Sequence, residues 1–138
     1  MLDSAPTVKQ NLANFIIITN NPLVVEKYPT VSQFFECTLA EIFVKGRDEI
    51  HAGARLINHP LYGSVKPNET PYRTLILSKR KADMDMFSLQ LIEGAFDVLR
   101  KMPRKNIPYT ERMLSDYQVI DLDIIDSAMR VLPPDYHF

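Results

Sequence analysis

The run Phe15-Ile16-Ile17-Ile18-Thr19 is followed without a break by Asn20-Asn21-Pro22, and that junction does most to limit the folds open to the chain. Four consecutive apolar residues, three of them β-branched, predict a strand covered on both faces. Asn21 is a favourable N-cap, and Pro22 suits the first helical position, where its missing amide hydrogen costs nothing. The junction therefore predicts a buried strand leading directly into a short helix from Pro22 to Tyr28, stopped by Pro29. A strand buried on both faces needs helices on each side of its sheet, so the chain reads as α/β.

The remaining periodicities extend that reading. Val31 to Cys37, centred on Phe34-Phe35, is a second strand candidate. Thr38-Leu39-Ala40-Glu41 forms a capping box, in which the threonine hydroxyl and the glutamate carboxylate each take the other residue's backbone amide. It opens a helix carrying Leu39, Ile42, Phe43 and Ile50, with Gly53 as its left-handed terminator. Ala54 to Asn58 suggests a third strand and Arg73 to Ser78 a fourth. Asp83 or Asp85 can cap the next helix, whose stripe is Phe87, Leu91, Ala95, Val98 and Met102, ended by Pro103. Arg104 to Pro108 reads as a linker. A last helix uses Met113, Tyr117, Ile120, Ile124, Ala128, Met129 and Leu132. Leu122 and Ile125 fit that stripe poorly, which predicts a break near Asp121 or Asp123. The expected architecture is a small, mostly parallel sheet of about four strands with flanking helices in a Rossmann-like layered topology. The fourth strand, reached through a loop without a helix, is the one expected to run antiparallel at an edge.

At 138 residues the length suits one α/β domain over residues 1–138, with polar tails at 1–13 and 133–138. A net charge of −1 argues against a general nucleic-acid binder, which needs a basic face. The basic stretch from Lys79 to Lys105 carries net +3 and the acidic one from Glu111 to Phe138 net −4. They suit each other within one chain or across a homodimer, which six methionines and two broad apolar helix faces also favour. The longest purely apolar run, Phe15 to Ile18, is far too short to span a membrane. Cys37 is the only cysteine, so no internal disulfide is available; with no apolar leader run, a cytoplasmic location is expected. No HExxH, HxH or CxxC spacing is present, so neither a metal nor another cofactor is expected.

One long segment lacks periodicity. Asn58 to Tyr72 holds three of the ten prolines and gathers His59, Ser64, Lys66, Asn68 and Glu69. Long ordered loops in small domains often carry function. In open α/β sheets, ligands sit beyond the carboxyl ends of the strands. If the first strand lies beside the third, Thr19-Asn20-Asn21 meets Asn58-His59-Pro60 there, and the helix starting at Pro22 turns its free amides to the same edge. The expected ligand-binding residues are Asn20, Asn21, His59, Ser64, Lys66, Asn68, Glu69 and Arg73, around a small anion. Glu69 has a plainer role open to it, pairing with Lys66 or Arg73 to stiffen the loop. Cys37 has two readings, a thiol activated by the following helix or a small residue packing toward Ile42.

Three motifs also carry a resemblance. Ile18-Thr19-Asn20-Asn21-Pro22-Leu23-Val24, Lys45-Gly46-Arg47-Asp48-Glu49-Ile50-His51-Ala52-Gly53 and His59-Pro60-Leu61-Tyr62-Gly63-Ser64-Val65-Lys66-Pro67-Asn68-Glu69-Thr70-Pro71-Tyr72 resemble the GrdX-like family, from about residue 15 to about residue 130. Its members are small proteins encoded beside the glycine, sarcosine and betaine reductase complex of anaerobic bacteria. The resemblance implies an accessory role near that selenium-dependent, acetyl-phosphate-forming pathway, with reductase subunits as partners, and it brings no catalytic residues with it.

Two functional readings follow. The first is a non-enzymatic accessory or binding protein whose long loop recognises a small anionic metabolite. The alternative is a small hydrolase or transferase acting on a phosphate or acyl group. There His59 would be the base, with Lys66 or Asn20 stabilising developing charge. His59, Ser64 and Glu69 are residue types of a hydrolytic triad, but only geometry makes a triad.

Overall fold

A computed structural model describes residues 14–63 and 65–132. Expectations for the two tails and for Ser64 lie outside those residues. The strands are β1 (Phe15–Thr19), β2 (Ser32–Phe34) and β3 (Thr74–Ser78); the helices are α1 (Pro22–Lys27), α2 (Leu39–His51), α3 (Met86–Lys101) and α4 (Glu111–Arg130).

The chemistry that predicts the helix starts also makes them. Asn21 accepts the amide of Leu23 at the head of α1, with Pro22 in the first turn. Thr38 and Glu41 complete both halves of the capping box of α2. Asp85 caps α3 by accepting from the amide of Ser88, and Thr110 caps α4 by accepting from that of Met113. Gly53 follows α2 with φ of +107°, the left-handed turn for which glycine carries no steric penalty.

β1 is central. β2 pairs with it in parallel, Ile17 opposite Ser32, and β3 pairs with it antiparallel, Phe15 opposite Ser78 and Thr19 opposite Thr74. Side chains alternate along these strands, so two cores form. Ile18, Leu75 and Leu77 face α2 and α3, packing with Ile42, Phe43, Ile50, Ile92 and Ala95. Phe15, Ile17 and Ile76 face the other way, onto Val24 of α1 and Ile125 of α4. The layered α/β arrangement with helices on both faces therefore matches the expectation. The strand count does not: the sheet has three strands, in the order β2-β1-β3, mixed rather than mostly parallel, with β3 the edge strand that was expected to run antiparallel.

The difference lies at Ala54 to Asn58. This segment does not lie beside β1. It flanks β3, meeting it in a single antiparallel bridge between Leu56 and Leu77. Two backbone bonds join it to β3 there, from the amide of Ile57 to the carbonyl of Ile76 at 2.8 Å and from the amide of Ser78 to the carbonyl of Arg55 at 2.9 Å, while the amides of Arg55 and Leu56 go to Ser78 Oγ at 2.8 Å and Ser88 Oγ at 2.9 Å. One step on, the Asn58 side chain replaces the ladder, accepting from the amide of Ile76 at 2.9 Å and donating to the carbonyl of Thr74 at 3.1 Å. A short stretch of backbone ladder, extended by side chains at either end, thus stands where a fourth strand was expected. Because β3 runs antiparallel to both neighbours, the end of β1, the start of β3 and Asn58 still arrive at one edge. α4 runs from Glu111 to Arg130 without the expected break, and Asp121 turns inward instead. Among the described residues, no helix is long and apolar enough to cross a membrane.

Candidate functional site

The edge shared by β1, β3 and Asn58 is built around a carboxylate from α4. Asp121 is 5% exposed. Its Oδ2 accepts from Thr74 Oγ1 at 2.7 Å and from Asn21 Nδ2 at 3.0 Å, and its Oδ1 accepts from the Tyr62 hydroxyl. The proton directions follow from counting. Thr74 gives its one hydroxyl proton to Asp121, so it accepts from Thr19 Oγ1 across 2.8 Å. Thr19 in turn accepts the amide of Asn21 at 2.9 Å. The Tyr62 hydroxyl accepts the amide of Thr74 at 2.9 Å while donating to Asp121. Burial, and then the Asp121 charge, push the Tyr62 pKa well above its ordinary value, against the opposing charge of Arg73. Every proton in this relay is committed, so it rigidifies the edge and leaves no base or nucleophile idle.

Asn20 and Asn21 leave β1 as a pair of braces. Asn20 Nδ2 donates to the carbonyls of Cys37 and Pro71, both at 2.9 Å, while its Oδ1 accepts the amide of Arg73 at 2.8 Å. Asn21 Nδ2 also reaches the carbonyl of Gln118 at 2.9 Å, which ties β1 to α4. Both side chains are spent on protein contacts.

Arg73 differs. It is 2% exposed, yet no acidic side chain lies within ion-pair distance of it among the described residues. Nη1 donates to the carbonyl of Tyr62 at 3.2 Å, and the guanidinium lies 4.3 Å from the centre of the Tyr62 ring. Nε has no hydrogen-bond partner among the described residues. A buried guanidinium with an orphaned N–H is costly unless something else meets it. Beside it lies a cavity of about 10 Å³, walled by Tyr62, Val65, Tyr72, Arg73, Asp121 and Ile124.

The other anticipated residues lie apart from this centre. His59 is exposed, and its Nδ1 accepts the amide of Leu61 at 3.0 Å. That bond ties the ring to its own loop backbone, with Nε2 left on the far side of the ring. Lys66 is exposed, and its carbonyl closes a turn by accepting the amides of Glu69 and Thr70. Asn68 Nδ2 donates to the carbonyl of Pro103 at 2.9 Å, Lys105 meets the Glu69 carboxylate at 2.6 Å, and the Tyr109 hydroxyl donates to the Glu69 carbonyl at 2.7 Å. Glu69 thus pairs with Lys105 and not with Lys66 or Arg73. The structure brings Asn20, Asn21 and Arg73 together, and leaves His59, Lys66, Asn68 and Glu69 outside that cluster.

Cys37 packs against the core cluster that contains Ile42, and burial followed by the Glu41 charge pushes its thiol up, against the pull of Lys45. That environment does not activate a thiolate. Among the described residues, no group of three or more histidines, cysteines, aspartates and glutamates is gathered as a metal site would require.

Sequence reasoning missed Thr19, Tyr62, Thr74 and Asp121 as a unit. One signal was present: Asp121 sits four residues from both Tyr117 and Ile125 on the apolar stripe of α4, where a charge needs partners.

A family model described as GrdX-like protein matches residues 16–130. The chain belongs to the GrdX-like family. The matched span runs from β1 to the end of α4, so it includes Arg73, Asp121 and the whole 58–72 loop of this GrdX-like chain. No curated protein and no solved structure matches it.

Proposed function

We propose that this GrdX-like chain is a non-enzymatic accessory protein of the glycine, sarcosine and betaine reductase system, and that it binds a small anion where the 58–72 loop meets the start of β3. Arg73 carries the proposal: a buried guanidinium that, among the described residues, has an unpartnered Nε and no carboxylate within ion-pair distance, bordering a cavity. Family membership supports the link to the reductase system. In this reading Arg73 is the anchor, Asn20 and Asn21 hold the edge rigid, and Lys66 and His59 add attraction from the exposed part of the loop.

The test is the thermal stability of the native protein in a panel of small anions at constant ionic strength. At least one should raise the melting temperature saturably, and Arg73→Gln should abolish the rise. A panel in which no anion raises the melting temperature contradicts the proposal.

A further inference from the structure

The geometry points to a narrower ligand class for the Arg73 site: a short-chain monocarboxylate, held by the Nε side of the guanidinium with its small apolar tail against Val65, Ile120 and Ile124. This rests on the anion-binding reading above and specifies its ligand. In a guanidinium, Nε–H and one Nη–H point side by side as a fork that matches the two oxygens of a carboxylate. Nη1 of Arg73 is held by the Tyr62 carbonyl, while Nε is unpartnered among the described residues. The fork is thus oriented by one bond and open on the other side.

Two more donors line the same cavity. The Thr70 hydroxyl accepts the amide of Tyr72 at 3.2 Å, and the Tyr72 hydroxyl accepts from Gln118 Nε2 at 2.7 Å. Each has accepted a bond without giving its own proton to a described residue. Together with the Nε–H they amount to three donors toward a carboxylate's four lone-pair sites. The rest of the wall decides against larger or more highly charged anions. Val65, Ile120 and Ile124 are apolar, so they offer no donors to the remaining oxygens of a phosphate. Asp121 borders the cavity too, and its charge opposes a dianion more than a monoanion. At about 10 Å³ the space is about that of one water molecule, so the ligand must be small and the Val65 and Ile124 side chains must yield to admit it.

The experiment is an amide-resolved NMR titration of the native protein with sodium acetate, with inorganic phosphate, and with a short peptide bearing a free C-terminal carboxylate against its amidated form. Acetate should shift the amides of Tyr62, Val65, Tyr72 and Thr74 saturably, with phosphate weaker by about tenfold or more. Saturation by the free-carboxylate peptide, with its amidated form silent, also supports the carboxylate assignment and makes a chain terminus the source. Arg73→Lys, which keeps the charge and removes the fork, should weaken acetate by about tenfold. Thr70→Val, which keeps the shape and removes one donor, should weaken it less, and it serves where Arg73→Lys does not fold. Phosphate binding as tightly as acetate overturns this inference and leaves the anion-binding reading standing. Silence toward every probe overturns both.

Discussion

The front of the 58–72 loop, from Asn58 to Tyr62, and its rear, from Lys66 to Thr70, are fastened in opposite ways. The front is fixed inward: Asn58 completes the edge of β3, and the Tyr62 hydroxyl sits between Asp121 and the amide of Thr74. The rear is fixed outward, to the segment between α3 and α4, by Asn68 on the Pro103 carbonyl and Glu69 on Lys105. The chemistry is similar, but the front bonds are part-buried, whereas those from Asn68 Nδ2 and to the Glu69 carboxylate are exposed. A buried donor that loses its acceptor keeps its full desolvation cost, whereas an exposed one turns to water. The front should therefore set the rigidity of the edge, and the rear should tolerate change.

Asp121→Ala attacks the front at its centre and should do the most damage. It strips the acceptor from the Tyr62 hydroxyl, the Thr74 hydroxyl and the Asn21 amide at once. A loss of about 3 kcal/mol or more is expected in urea unfolding. Tyr62→Phe comes next. It keeps the ring beside Arg73 but leaves the Thr74 amide without its acceptor, which should cost about 1–3 kcal/mol. This variant also tests pH dependence. Burial, and then the Asp121 charge, raise the Tyr62 pKa above its unfolded value. Its stabilisation is fully present below the ordinary tyrosine pKa and is lost as the pH rises beyond it. The alkaline limb of a stability–pH profile should therefore be steeper in the native protein than in Tyr62→Phe.

Gly63→Ala probes the turn between the two halves. Gly63 has φ of +82°, and an added Cβ would lie 2.6 Å from Ile124 Cδ1, a methyl that can move. The backbone strain should dominate, at about 1–2 kcal/mol in the same unfolding assay. Glu69→Gln should have the smallest effect, with no resolvable change in the unfolding midpoint at neutral pH. Its signature is at acid pH. The hydrogen bond from Lys105, and then that residue's charge, hold the Glu69 carboxyl below its usual range. The contribution is present above the unfolded pKa and lost as the pH falls through the lowered folded one. Glu69→Gln should slightly flatten the acid limb. A Glu69→Gln loss as large as that of Tyr62→Phe would erase the contrast between the halves.

Much of the fold was legible because it is written in local chemistry. The apolar runs of β1 and β3, the caps at Asn21, Thr38 and Asp85, and the glycine at position 53 each act within a few residues of themselves. The strand order was not legible, because only a short backbone ladder joins 54–58 to β3 and the side chains of Ser78 and Asn58 take over the bonds on either side of it. Part of the geometry around the loop was legible: the Asn20-Asn21-Pro22 junction and the end of the loop do meet at one edge. The role of Asp121 depends on donors from positions 21, 62 and 74, about 47 to 100 residues away, so locally it reads as a helix break. Lys105 likewise finds Glu69 only after α3 has brought the following segment back over the loop.

The central claim is that Arg73 is a buried cation held open for a ligand, and its own side chain reports on that most directly. The Arg73 Nε–H resonance of the native protein should be followed through an acetate titration. It should move saturably, in the direction of a strengthened hydrogen bond, while the resonances of exposed Arg80 and Arg100 stay in place. An Arg73 Nε–H resonance that stays fixed up to saturating acetate, or that moves only in step with Arg80 and Arg100, would contradict the account.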